Sequence, residues 1–199
     1  AGAIAWGADG QPGWAAAAPA SVYVEQELPD GDRAAALAGW LALADAHRAH
    51  DDLRVFEGEA ALREARRMRH AVPATMNDRG ARCRAEGGRK LSTDWSVPSR
   101  RLTEAIAAAR AIAREHGLEP PVIYGHAGNG HPHENFIARN AGEAAAIEAA
   151  VEATLRVVLS MGGTVAAEHG IGKLKRRWLS MQMSELQISV MRAVKRELD

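Results

Sequence analysis

The sequence predicts an α+β domain, with a mainly antiparallel sheet and helices on one of its faces. Short segments of strand character alternate with segments of helical period in compact units, the pattern of layered folds of this class. No self-similarity recurs at a period of roughly 20 to 50 residues, which excludes a solenoid. The 199 residues suffice for one domain with a short extension and a real core.

Residues 1–20, rich in Ala and Gly with Pro12 and Pro19, read as a loosely ordered lead-in, and residues 21–199 as the domain. SVYVEQEL, Ser21 to Leu28, has the β-branched and aromatic character of a strand. PDGD makes a turn, and Asp32 caps a helix with Leu37, Trp40, Leu41 and Ala44 on one face. LRVF, Leu53 to Phe56, predicts a second short strand. A basic helix follows from about Glu59 to Met76, carrying Arg63, Arg66, Arg67 and Arg69. A polar loop with Gly80, Gly87 and Gly88 leads to RKLSTDWSVP, extended in character and closed by Pro98. Ser99 caps the next helix, where Leu102, Ile106, Ala109 and Ala113 keep helical spacing until Gly117 ends it. PVIYGH and ENFIA predict two strands. Ala141 to Ser160 predicts a helix with Ile147, Val151, Leu155 and Val158 inward, stopped at Gly162-Gly163. TVAA reads as a short strand delivering AEHGIGK, and a last helix starts near Ser184.

The 25 basic and 25 acidic side chains cancel, so no net field points to nucleic acid or to an anionic membrane surface. No apolar run approaches the roughly 20 residues that span a bilayer. The single Cys83 excludes an internal disulfide and fits a reducing, cytoplasmic setting. The chain opens on AGAIAW and stops inside an apparent helix at RELD, and so reads as a piece of a longer polypeptide.

Two stretches carry chemistry. YGHAGNGHPHEN (Tyr124 to Asn135) crowds three histidines and three glycines into twelve residues. A glycine-rich turn between a strand ending at His126 and one beginning near His133 brings both imidazoles to one point, as a metal site requires. His131 is a third candidate: it shares a face with His133 in an alternating strand, a count that Pro132 disturbs. In GGTVAAEHGIGK, Glu168 offers a carboxylate to a divalent cation and His169 a base of suitable pKa. Neighbours on a strand point opposite ways, so the two residues would serve different walls of one cavity. Each stretch alone has a bland reading, as satisfied histidines or as a charged pair at a turn; only the combination is specific. Lys90 and Asp94 flank an extended segment, where Lys90 suits an anionic substrate group. Arg69, before Pro73, is placed to clamp a carboxylate bidentately if it turns inward. GHAGNG leads into a strand rather than a helix and is no dinucleotide fingerprint. KLKRR (Lys173 to Arg177) reads as a solvated helix start, and Cys83 has no base beside it.

With these two stretches in this order, the chain resembles the C-terminal part of FAD-linked oxidases of the D-lactate dehydrogenase and glycolate oxidase D-subunit type, within the vanillyl-alcohol-oxidase-like flavoproteins. That family's pattern is approximately GHxGxGNxHxN followed by GGxxxxEHGIGxxK, and the similarity runs from about Ser21 onward. It implies a ferredoxin-like cap domain and a divalent metal (zinc, manganese or iron) on His126, His133 and Glu168. It also implies His169 as the base on a substrate hydroxyl, and Arg69, Lys90 and Asn135 as residues holding a small 2-hydroxy acid. FAD, the implied cofactor, would be bound mainly by an N-terminal flavin domain of the same polypeptide, which this chain does not contain. The chain departs from the pattern where Asn129 replaces Asp, His131 replaces Asn and Pro132 replaces Leu. Those changes bear on metal identity and on what surrounds the ligands.

The resemblance therefore implies the substrate and metal domain of a FAD-dependent 2-hydroxy-acid oxidoreductase, inactive by itself, cytoplasmic or peripheral to the inner membrane, with a homodimer among its allowed assemblies. The alternatives are a non-catalytic metal-binding or interaction module, a non-redox relative that exchanges an acyl for an alkyl group, and a hydrolytic metalloenzyme on the same ligands.

Overall fold

The computed structural model describes residues 20–28, 31–49 and 53–198 in full and the backbone of Gly2–Ile4. The chain forms two compact units, Ala3–Thr75 and Met76–Asp199. Among the described residues no helix is long and apolar enough to cross a membrane.

The first unit contains the short strands β1 (Gly2–Ile4) and β2 (Ser21–Tyr23), helix α1 (Arg33–Ala46) and most of helix α2 (Gly58–Arg82). The rest of the predicted lead-in, residues 5–19, lies outside the described residues. Asp32 caps α1 as expected, its carboxylate accepting the N–H groups of Ala34 at 2.9 Å and Ala35 at 3.1 Å. Two strand expectations fail. The strand read over Ser21–Leu28 stops at Tyr23, because Glu25 and Gln26 turn to side-chain partners: Arg66 donates to Glu25, and the Trp40 indole to Gln26 at 2.7 Å. LRVF forms no strand, and its residues are mostly exposed. Helix α2 runs past its predicted end at Met76 to Arg82 and carries Pro73 within it. A buried stripe of Ala65, Met68, Val72 and Met76 on both sides of the proline outweighs the one lost hydrogen bond.

The second unit is an antiparallel sheet in which β5 (His131–Ala138) lies between β3 (Arg89–Asp94) and β4 (Val122–His126). Helices α3 (Leu102–Glu115) and α4 (Ala141–Ser160) pack together, and α4 lies against β3 and β5. The α+β class with an antiparallel sheet is thus the one observed. Strand alternation sorts β5 into two faces. Glu134, Phe136 and Ala138 point into the helix-covered core with Trp95, Ile123, Ala109 and Leu155. His131, His133 and Asn135 point the other way. Ser99 opens a 3-10 turn, Ser99–Arg101, without a side-chain cap, so α3 starts one turn later than expected. TVAA makes only a single bridge, Thr164 to Ser96. Gly163 fits there because a Cβ would lie 2.2 Å from the Ser96 carbonyl oxygen. Beyond that bridge the chain becomes the loop that carries Glu168, and α5 (Gly172–Lys175) and α6 (Glu185–Leu198) complete the unit.

Candidate metal and substrate site

The clustered glycines solve a packing problem. The hairpin pairs His126 with His131 and Gly125 with Pro132, so β5 begins at His131 and not at His133. A Cβ on Gly125 would sit 2.4 Å from the His131 carbonyl oxygen, so the two strands close up there only without a side chain. Ala127–Asn129 makes a 3-10 turn, and Gly130 turns the chain back with φ of +63°, its α-carbon tight against the Val97 carbonyl. Pro132 does not disturb the alternation. His131 and His133 share a face with His126 and Tyr124 across the hairpin and with Asp94 on β3.

All four histidines converge. Ring centroids lie 5.3 Å apart for His126 and His131, 4.8 Å for His131 and His133, and 4.6 Å for His133 and His169, the last pair stacked. The Glu168 carboxylate meets them. Its Oε1 lies 3.1 Å from His133 Nε2 and 3.6 Å from His126 Nε2. Donors about 2.0–2.2 Å from a tetrahedral cation stand about 3.3 Å from one another, so these separations bracket what a bound divalent cation needs. Burial holds the His133 imidazole down at about 4, helped by its histidine neighbours, and burial lowers His131 as well. Both rings are then neutral at pH 7, the form that ligates. His131 Nε2 and His133 Nδ1 are buried without a hydrogen-bond partner. On donor type the residues present fit a cation, and the ligating atoms of His126, His131 and Glu168, like those of Asp94, His133 and His169, all lie within 4.8 Å of one another.

The loop that carries Glu168 is held from below by Asp94, which is fully buried. Its Oδ2 accepts the backbone N–H groups of Ala167 at 3.1 Å, Glu168 at 2.7 Å and His169 at 2.9 Å. The Lys175 ammonium donates to the Asp94 carboxylate and, at 2.8 Å, to its backbone carbonyl. These bonds, with the Val165 N–H donated to the Gln182 side chain at 2.9 Å, take the N–H groups of this segment out of any ladder beyond Thr164. They also alter the expected geometry: Glu168 and His169 sit on a bend, and both face the histidine cluster instead of opposite walls.

The other expected residues lie differently. Lys90 is four residues up β3 from Asp94, about 13 Å along the strand; burial lowers its ammonium, which donates to Asn77 at 3.0 Å. Asn135 is buried, accepting from Ser92 and donating to the carbonyls of Val122 and His133. It ties β3 and β4 to β5, the strand bearing His133. Arg69 lies on α2 in the first unit, partly buried.

Three residues escaped the sequence reading of the site. Asp94 shows in the sequence only as a flank of Lys90, and Lys175, within a stretch that reads as a solvated helix start, is buried. Nothing local joins two residues 81 positions apart. Glu134 lies on the core face of β5, accepting from the Trp95 indole at 3.1 Å, with its other oxygen unpartnered. Burial pushes its carboxyl up to about 7, against the lowering effect of Trp95. A carboxyl placed between outward histidines in an alternating strand was the available signal for an inward one.

Residues 5–199 match the sequence model of a family described as FAD linked oxidases, C-terminal domain. Among curated relatives, the glycolate oxidase subunit GlcD of Bacillus subtilis is 31% identical over 108 residues, 53% of this chain and 23% of that protein. The mitochondrial D-lactate dehydrogenase [cytochrome] of Kluyveromyces lactis is 33% identical over 108 residues, 54% of this chain and 18% of the relative. The D-lactate dehydrogenase of Archaeoglobus fulgidus is 32% identical over 102 residues, 51% of this chain and 22% of the relative. The chain thus spans less than a quarter of the length of these relatives.

Proposed function

Because the chain belongs to the FAD-linked oxidase C-terminal domain family, we propose that it is the substrate- and cation-binding part of a FAD-dependent 2-hydroxy-acid oxidoreductase of the D-lactate or glycolate type. The convergence of His126, His133 and Glu168 beside His169 carries this reading. FAD bound by a flavin domain of the same polypeptide would supply the hydride acceptor, and a divalent cation (zinc, manganese or iron) would supply Lewis acidity toward the acid's carboxylate and hydroxyl oxygens.

The chain's own residues do the rest. His126, His133 and Glu168 hold the cation through their facing nitrogen and oxygen atoms. His169 accepts the proton of the substrate hydroxyl. Its side chain is half-exposed and so reachable, while its Nδ1 faces the Asp94 carboxylate at 3.8 Å. Its Nε2 lies 3.7 Å from the Glu168 carboxylate, so the ring stands between the two acidic groups of the site. Asn135 fixes the strand that bears His133.

Two measurements on the longer, flavin-bearing polypeptide test the proposal. Elemental mass spectrometry should find near-stoichiometric metal in the parent and little in His133→Ala; equal content in both overturns the ligand set. Anaerobic bleaching of the flavin by D-lactate or glycolate should slow by roughly 10²- to 10⁴-fold in His169→Ala. Unchanged bleaching would remove His169 from the proton-accepting role.

A further inference from the structure

We propose that His131 is a third imidazole donor to the cation, making the centre a three-histidine, one-glutamate site that selects nitrogen-preferring divalent cations such as zinc and cobalt over manganese. The proposal rests on the reading of His126, His133 and Glu168 as cation ligands and extends it.

The geometry comes from the hairpin. His131 is the direct cross-strand partner of His126 and shares the site face of β5 with His133, and the three rings form a triangle with centroids 5.3, 4.8 and 5.8 Å apart. His126, His131 and Glu168 each present a ligating atom within 4.8 Å of the others. The facing pair is His131 Nδ1 and Glu168 Oε2, at 4.0 Å. His131 is only 6% exposed, so its ring is fixed in place, with Nε2 on the Asp94 side and Nδ1 on the Glu168 side.

Asp94 explains which nitrogen points where. Its Oδ2 faces His131 Nε2 at 3.6 Å. It is not itself a free ligand, since three loop N–H groups and Lys175 already occupy its oxygens. For the same reason a separate cation on Asp94, His133 and His169, which also lie within reach of one another, is not the better assignment. With Nε2 on the Asp94 side of the ring, Nδ1 is the nitrogen that faces Glu168 and the cation. Three imidazoles and one carboxylate oxygen suit zinc or cobalt better than the oxygen-preferring manganese.

The test uses the purified 199-residue chain, stripped of metal and titrated separately with cobalt(II) and manganese(II). The parent should bind cobalt(II) more tightly than manganese(II). His131→Asn should weaken cobalt(II) binding by about tenfold or more, alter the cobalt d–d absorption bands and leave manganese(II) binding nearly unchanged. Unaltered affinity and bands in His131→Asn, with binding lost in His133→Ala, would overturn the role of His131 and leave the three-ligand reading standing. No binding of either ion by the parent would overturn both. Should His131→Asn fail to fold, the parent alone decides: three exchangeable imidazole N–H resonances shifted by bound cobalt(II) support the proposal, and two refute it.

Discussion

The Asp94–Lys175 pair gives the sharpest prediction about how this fold holds its site. Asp94→Asn keeps an oxygen for the three loop N–H groups but removes the charge opposite Lys175, whose side chain is 7% exposed. Burial draws the Lys175 ammonium down from 10.5 to about 8 even with Asp94 beside it, so without the carboxylate the buried charge is costlier still. Allowing for solvent near the half-exposed loop, Asp94→Asn should destabilise the chain by about 2–3 kcal/mol at pH 7, toward the lower end of what breaking a buried pair costs. The sign with pH follows. The loss needs a charged Lys175 opposite Asp94, so it is present near neutral pH and fades as the pH rises through about 8, where the ammonium beside Asp94 deprotonates. Urea unfolding of metal-free Asp94→Asn, Lys175→Met and the double variant measures it. The double variant should be less destabilised than the sum of the singles by more than about 1 kcal/mol. Additivity within about 0.5 kcal/mol would refute the pairing as the source of the loss. Because Asp94 also holds the backbone of Glu168, Asp94→Asn should weaken metal uptake in parallel.

The hairpin and the buried carboxyl yield further tests. Gly130→Ala places a methyl group 1.9 Å from the Val97 carbonyl oxygen on a residue with φ of +63°, so it should cost more than about 2 kcal/mol and lower the melting temperature by several degrees. Gly128→Ala, with open space around it, should melt within a degree or two of the parent. Glu134→Gln isolates the raised carboxyl: the Glu134 contribution is present below the unfolded value of 4.5 and is lost as the pH rises through about 7. The variant should therefore match the parent near pH 4 and exceed it by about 3 kcal/mol at pH 8; a pH-independent difference in urea unfolding would rule out Glu134 as the titrating group. Chelation of metal from the parent should lower its melting temperature, and His133→Ala should show no such shift.

What the sequence determined by itself is what neighbouring residues decide. Asp32 caps α1 because its carboxylate reaches N–H groups two and three positions on. The limits of α4 follow from Asn140 at its start, the apolar stripe along it and Gly162 with φ of +79° just past its end. The histidine hairpin was legible for the same reason, since a short glycine-rich turn must fold His126 back toward His131 and His133. Tertiary structure alone decided the rest. It shortened the strand at Ser21 and carried α2 through Pro73, because partners distant in sequence outweighed local preference. It turned Glu134 inward, since strand register follows from which face the helices cover. It also placed Asp94 and Lys175 together beneath the Glu168 loop, putting Glu168 and His169 on the same side of the site. Periodicity and capping report interactions within one turn or one hairpin, whereas a buried charge finds its partner only once the sheet and the loop have closed around it.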